Sequence, residues 1–336
     1  MKTKLDIIGI GNAMVDAIVS STREEVEKNG LIRDSMNLID EDQKEFLHHS
    51  YTIQEMIGGG SVGNTMFGIT SFEGNGSFIG KIKDDAIGQF LMKDMTREGL
   101  KFPLGYTSLN TPTGCCTLFV EKDGTRTMAT FLGAGTLIGP EDIKKEDVTN
   151  HRIAYLEGYL WDNKNAKKAM KKMIDLCKAD QQQIALTLSD QFCIDRHRES
   201  FKQLIENDVD IIFANRDEIC SMAETSNIDK AITYAKSLGI IAVITIGEEG
   251  SLIIHNDAVI EIEAKPVSKV IDVTGAGDLY ASGFLFGLAK GKSLEECGQY
   301  GSIASAEIIS HFGARPEVKL STLTVSYTHL TLPTKA

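Results

Sequence analysis

The segment Val270-Ile-Asp-Val-Thr-Gly-Ala-Gly-Asp278 runs from β-branched residues into two glycines. It continues into Leu279-Tyr-Ala-Ser-Gly-Phe-Leu-Phe-Gly-Leu288, which is apolar nearly all round. A helix apolar on every side belongs in a core, so this one is expected to be buried with its amino end at a glycine-rich turn. Glycines let backbone N–H groups approach an anion closely, and the helix dipole adds about half a positive charge there. Gly275, Ala276 and Gly277 are therefore a candidate anion hole. Asp278, in the first turn, is either an ordinary acid at a helix start or a base beside that hole. The second arrangement is what phosphoryl transfer to an alcohol needs: a carboxylate to take the hydroxyl proton, and donors to hold the charge of the transferred group.

Gly58-Gly-Gly-Ser-Val-Gly-Asn64 offers glycines for unobstructed ligand approach and, in Asn64, an amide that can both donate to and accept from a sugar hydroxyl. A flexible turn with a capping Asn is the competing reading. Gly9-Ile-Gly-Asn-Ala-Met-Val-Asp16 follows an apolar strand, yet Met14 stands at the third glycine position of a dinucleotide fingerprint and no clear helix follows. Gly287-Leu-Ala-Lys-Gly-Lys-Ser293 has three residues between its glycines, one fewer than a Walker A loop, and it ends a helix instead of opening one. The seven histidines show no metal-ligand spacing.

Taken in order, these segments resemble the signatures of the ribokinase-like (PfkB-type) family of carbohydrate and nucleoside kinases, over about residues 5 to 320. Asp272-Val-Thr-Gly-Ala-Gly-Asp278 is similar to the signature that ends in the family's catalytic aspartate, with Val273 where Thr is common. The resemblance implies Asp278 as base, Gly275 to Gly277 as anion hole, and Asp272 at a site for a monovalent cation such as K⁺. It implies Gly59, Gly60, Asn64, Asn12 and Asp16 on the substrate side, Asp16 accepting from two ribose hydroxyls. Asn215-Arg-Asp-Glu218 resembles the Asn-x-x-Glu element, whose glutamate organises hydrated Mg²⁺. Thr245-Ile-Gly-Glu-Glu-Gly250 resembles a nucleotide-binding turn, which puts Asn215, Thr245, Gly247, Gly250 and Thr274 on the ATP side. Arg126 matches a lid arginine that reaches the transferred phosphate; an ordinary exposed charge is the other reading. Gly-Asn-x-x-x-Asp, Gly-Gly-Ser-x-x-Asn and Tyr155-Leu-Glu-Gly-Tyr-Leu160 look most like adenosine-kinase-type members, and Ser61 stands where many sugar kinases have Lys. The implied cofactors are ATP and Mg²⁺, the implied acceptor the primary hydroxyl of adenosine, with Tyr159 or Leu160 packed on the purine. A sugar kinase for ribose, fructose or a keto-sugar acid stays open, as does a non-catalytic binding module.

The elements must bring these segments together. Apolar runs at 5–10, 77–79, 153–156, 184–188, 211–213 and 240–246 alternate with helical spacing at 85–98, 165–179, 197–207 and 228–238. Uninterrupted apolar strands alternating with helices imply an α/β fold with a doubly wound, mainly parallel sheet flanked by helices. Residues 1–324 are read as one such domain, with β-rich lid segments at about 14–52 and 102–132. In the second, Cys115-Cys-Thr-Leu-Phe-Val120 and Thr127-Met-Ala-Thr-Phe131 form a hairpin, either over the cleft or at a solvent-facing edge. Residues 325–336 are Thr-rich, without helical period, and are read as a tail, native or not.

Composition bounds the partners. A net charge of −12 argues against a nucleic-acid partner. No apolar run is long enough to span a membrane. Six cysteines without a framework, after an amino terminus lacking a signal-peptide pattern, point to reduced thiols and the cytoplasm. A small-molecule substrate is the expected partner, with monomer and homodimer equally open.

Overall fold

The structure, a computed structural model, describes residues 4–108 and 110–324. Its strands are β1 (Leu5–Ile10), β2 (Met14–Ser20), β3 (Met36–Leu38), β4 (Glu55–Gly59), β5 (Gly76–Ile79), β6 (Ile82–Lys83), β7 (Tyr106–Thr107) and β8 (Gly114–Val120). There follow β9 (Arg126–Phe131), β10 (His151–Glu157), β11 (Gln183–Thr187), β12 (Ile211–Asn215), β13 (Ile241–Thr245), β14 (Ser251–His255) and β15 (Ala258–Ile262). The large sheet has the order β15-β14-β13-β12-β11-β10-β1-β5. It is parallel from β5 to β13, and β14 and β15 close one edge as antiparallel strands.

Successive residues of its strands point to opposite faces, and both faces are covered. Ile8, Leu186 and Ile212 join one core with the helices Lys164–Ala179, Gln191–Asp208 and Ile228–Ser237. Ile7, Ala185 and Ile211 join the other, with the helices Ser61–Ser71 and Ala276–Ala289. That is why these strands read as unbroken apolar runs. The helix Ala276–Ala289 is buried as its all-round apolarity requires, and truncating Phe284 to Ala at its centre should cost about 3–5 kcal/mol.

A second sheet, β3-β9-β8-β2-β4, carries the expected hairpin β8/β9 as its middle strands. Its extent differs from the segments anticipated. β4 at 55–59 joins it by antiparallel pairing of Met14 with Gly59 through Ile18 with Glu55, whereas β7 leaves it to pair with β6. The sheet has its own small core of Val19, Val26, Leu31, Leu47, Phe119 and Ala129. No helix of the described residues is long and apolar enough to cross a membrane. All six cysteines are buried and unpaired, and the proposed tail at 325–336 lies outside the described residues.

Candidate active site

The helices Ser61–Ser71 and Ala276–Ala289 meet at their amino ends, around Asp278. Gly275 caps the second helix in the left-handed region at φ +79°, which would cost an L side chain about 1–2 kcal/mol. A Cβ on Gly277 would meet nothing within 4 Å, so this face of the turn is open. The opening amides of a helix have no intrahelical acceptor, which makes the turn a receptor for negative charge. Asp278 accepts from Ser61 Oγ at 2.7 Å and from Asn64 Nδ2 at 3.0 Å, while Thr65 Oγ1 donates to its carbonyl at 3.0 Å. Burial raises its carboxyl to about 6, against the lowering effect of those two side chains and of the Arg315 charge. Near neutral pH it is ionised yet a better base than an exposed aspartate. Asn64 is buried, and its Oδ1 has no hydrogen-bond partner among the described residues.

Asp16 leaves β2 toward the same cleft. Burial lifts its carboxyl to about 6; the Arg315 charge opposes this and those of Asp278 and Asp272 add to it. Gly59 makes room for it, since a Cβ there would lie 2.8 Å from Asp16 Oδ1. Gly60 has φ +84°, and its Cβ would lie 2.2 Å from the Asn12 carbonyl oxygen. Asn12, expected on the substrate side, is committed elsewhere. Its Nδ2 and backbone N donate to Glu157 Oε1 at 2.6 and 3.2 Å, and Val62 N donates to Glu157 Oε2 at 3.1 Å. Glu157, at the end of β10, is buried, and its carboxyl is raised by burial to about 7. It ties the turn after β1 to the start of the helix Ser61–Ser71.

Beyond Asp278 a cavity of about 100 Å³ separates Gly277 and Asp278 from Asn215, Glu218 and Thr245. Its enclosed part is room for a phosphoryl group or several waters. Asn215 and Glu218 form a reciprocal capping box at the helix Arg216–Met222: Glu218 N donates to Asn215 Oδ1 at 2.9 Å and Asn215 N to Glu218 Oε2 at 3.0 Å. The helix-start reading of that pattern thus holds, yet the same Glu218 is buried on the cavity wall with its carboxyl raised by burial to about 7. As a hard, charged oxygen donor opposite the anion hole it fits a hydrated Mg²⁺ held mainly by water and phosphates. No cluster of three or more candidate ligands exists among the described residues. Gly247 has φ +68°, and Gly250 is required by packing as well, because a Cβ there would stand 2.0 Å from the Ile262 carbonyl oxygen.

Arg126, at the start of β9, is docked on the segment leading into the anion hole and not in the cavity. Its Nη1 lies 2.5 Å from Asp272 Oδ2 and donates to Thr274 Oγ1 at 3.1 Å, with Phe312 5.2 Å below the guanidinium. Asp272 also accepts from Thr274 N and Gly313 N, each at 3.0 Å. With its charge already matched by a guanidinium, Asp272 does not fit a monovalent-cation ligand here. Tyr159 is also displaced from its expected role. Its hydroxyl donates to the Ser189 carbonyl at 3.3 Å and burial raises its phenol, while Leu160 is buried in the core, so neither side chain is free to stack on a base. Sequence reasoning missed Glu157, the Ser61 bond to Asp278, and a buried Arg315 paired with Asp94. The three acids already read into the site, Asp16, Asp278 and Glu218, were the signal that could have pointed to a buried cation nearby.

The family model of pfkB carbohydrate kinases matches residues 26–320. The chain belongs to this family. As a PfkB-family member it is an ATP-dependent kinase acting on an alcohol group, of the sugar and nucleoside kinases. Its fold superposes with TM-score 0.90 and 38% identity on the adenosine kinase of Sinorhizobium meliloti, over 96% of this chain and 99% of that one. With a probable sugar kinase of Rhizobium etli CFN 42 the TM-score is 0.91 and the identity 34%, over 97% and 99%. A 5-dehydro-2-deoxygluconokinase of Listeria monocytogenes is 27% identical over 91% of this chain and 90% of its own length.

Proposed function

We propose that this PfkB-family kinase phosphorylates the primary hydroxyl of a neutral nucleoside, adenosine first, giving AMP for purine salvage. The observation that carries the reading is the charge and hydrogen-bonding character of the acceptor side. Asn64 Oδ1 is a buried acceptor lacking a donor among the described residues, beside a base whose carboxylate it orients through Nδ2. Such an atom calls for a hydroxyl. The arginines whose charge reaches Asp16, Arg126 and Arg315, are both committed to carboxylates, Asp272 and Asp94. A sugar acid such as 5-dehydro-2-deoxygluconate would bring a further negative charge to a side that already holds Asp16 and Asp278, where both arginines reaching Asp16 among the described residues are paired with carboxylates.

A base attached to the sugar also has a surface to meet. Cross-strand pairing puts Cys116, Thr130 and Leu38 on the same sheet face as Asp16, with Met128 and Met36 one step along. Leu38 and Met36 are 64% and 46% exposed, and an apolar ring is the natural cover for them. These lid side chains take the purine-packing role first expected of Tyr159.

In this reading Asp16 and Asn64 hold the ribose hydroxyls and Asp278 takes the proton of the attacking oxygen. The amides of Gly275 to Gly277 receive the transferred phosphoryl group, and Glu218 orders the water shell of Mg²⁺. The metal supplies charge neutralisation when bound; the chain supplies alignment and exclusion of water. The test is a panel of nucleosides, ribose, fructose and 5-dehydro-2-deoxygluconate with ATP and Mg²⁺. Adenosine is expected to exceed every free sugar in kcat/KM by at least about a hundredfold, a gap of about 2.7 kcal/mol. A sugar turned over better than adenosine overturns the reading in favour of a sugar kinase. Asp278→Asn is expected to lower kcat by about 10²–10⁴-fold with substrate affinity kept, the range for a positioned acid or base.

A further inference from the structure

Behind β4 lies a charge cluster that the chemistry above does not use. Arg315 is 6% exposed. Its Nε donates to Asp94 Oδ2 at 3.2 Å, its Nη1 donates to the Gly63 carbonyl at 3.1 Å, and its guanidinium lies 4.6 Å over the Phe67 ring. Arg97 reaches the other oxygen of Asp94 at 3.4 Å and lies 5.0 Å over the same ring. One carboxylate thus serves two guanidiniums, and the trio retains an excess positive charge. The glycine strand lets it come close. A Cβ on Gly58 would stand 2.2 Å from Asp94 Oδ2 and 2.4 Å from Arg315 Nη2, while on the next residue, Gly59, the missing Cβ faces Asp16. Little more than bare backbone separates the trio from the acceptor side.

We propose that Arg315, anchored by Asp94 and Arg97, is a positioning residue that supplies the fixed positive charge allowing Asp16 and Asp278 to stay ionised together in one cleft. This rests on the assignment of those two aspartates to the acceptor site. The charged groups facing Asp16 are Arg315, Asp278, Asp272 and Arg126; Asp278 faces Arg315, Asp16, Glu157, Glu218 and the Tyr155 phenol, with Ser61 and Asn64 as hydrogen-bond donors; Arg315 itself faces Asp94, Asp16 and Arg97. Glu157 and Glu218 lie beyond Asp278 from Arg315, so a limb that belongs to them responds least to changes in the trio. Arg126 is a poor candidate for the fixed charge, because it rides on a hairpin and is matched by Asp272. Arg315 acts on both carboxylates and is held in the interior. Two carboxylates withdrawn from water repel, and without a cation one takes up a proton. A protonated Asp278 cannot accept the hydroxyl proton. Arginine suits the task since it keeps its charge when buried.

The test is kcat/KM against pH, with thermal midpoints, for the full chain and its variants. Arg315→Met is expected to move the acid limb up by about one pH unit, a tenfold loss on that limb which is recovered at alkaline pH. Arg97→Gln, at a side chain 52% exposed, moves it the same way by less and keeps the fold. Asp94→Asn enlarges the excess positive charge and moves the limb down. A merely structural role lowers activity alike at all pH values and produces no opposed displacements. Should Arg315→Met not fold, the comparison of Arg97→Gln with Asp94→Asn decides alone. Limbs that stay in place in folded variants, or that Arg97→Gln and Asp94→Asn move in the same direction, overturn the proposal. Asp278→Asn distinguishes the underlying assignment: turnover that survives it defeats the base, whereas a limb unmoved by Arg97 and Asp94 defeats only the role of Arg315.

Discussion

A carboxylate that works in charged form is costly to a fold that withdraws it from water, and Asp16 measures that cost. Its ordinary value of 3.8 is raised to about 6 chiefly by burial. An acid shifted upward contributes no penalty below 3.8, where it is protonated in both states. As pH rises from 3.8 to about 6 the unfolded chain gains from an ionisation that the native state resists, so native stability is lost across that window and the loss is complete above it. Asp16→Asn should therefore stabilise the ligand-free protein above pH 7 by about 1–2 kcal/mol, discounted for the solvent Asp16 still meets, and change nothing near pH 3.5. Thermal melts of both proteins at the two pH values check this. Equal midpoints at pH 8 would mean that Asp16 is hydrated in the native state and carries no such penalty. The same substitution should raise KM for the acceptor, which makes the residue a case of stability yielded for function.

At the scale of elements, the turn from β4 into the helix Ser61–Ser71 puts two neighbouring glycines to different uses. Gly59→Ala presses its methyl on the Asp16 carboxylate, the end of a side chain that can swing away, so the fold should persist while KM for the acceptor rises about tenfold, near 1.4 kcal/mol. Gly60→Ala meets backbone, the Asn12 carbonyl, in a left-handed conformation, and should lose about 2 kcal/mol or more of stability. Chemical denaturation and steady-state kinetics separate the two; a Gly59→Ala protein with unchanged KM would remove Asp16 from the acceptor site. This turn also marks where sequence reading stopped. The sheet was legible because strands covered on both faces leave unbroken runs such as Ile211 to Phe213, and the helix after Gly275 because it is apolar on every side. β4, Glu-Met-Ile-Gly-Gly, reads as the start of a turn, since its pairing with β2 is set by a partner far along the chain. The Asn12–Glu157 and Asp94–Arg315 contacts join distant segments through single polar residues, which leave no period to detect. Tyr159 was expected on the purine, but a short 3₁₀ turn, Gly158–Asp162, sends its ring toward Ser189.

Across the whole molecule, the apolar core is unevenly divided between the two sheets, and this bears on whether the smaller one moves as a lid. The large sheet lies between two extensive cores, whereas the smaller sheet rests on Val19, Val26, Leu31, Leu47, Phe119 and Ala129. Its free side carries exposed Met36 and Leu38, and the contact of Arg126 with Asp272 and Phe312 fastens one corner of it to the loop before the anion hole. Segments with small cores open at lower free energy than the body they are joined to. In hydrogen–deuterium exchange of the ligand-free protein, β3, β8 and β9 should therefore exchange at least about tenfold faster than β10 to β12. Adenosine with a non-hydrolysable ATP analogue and Mg²⁺ should slow those strands together with residues 310–315, since a ligand bound between two parts stabilises both. Adenosine alone should protect the smaller sheet, and the nucleotide alone the 310–315 loop, if the apolar face covers the base and the phosphates lie against Gly275 to Gly277. Exchange as slow in β8 and β9 as in β11 before any ligand is added would make the two sheets one cooperative unit, and the smaller one a fixed wall instead of a lid.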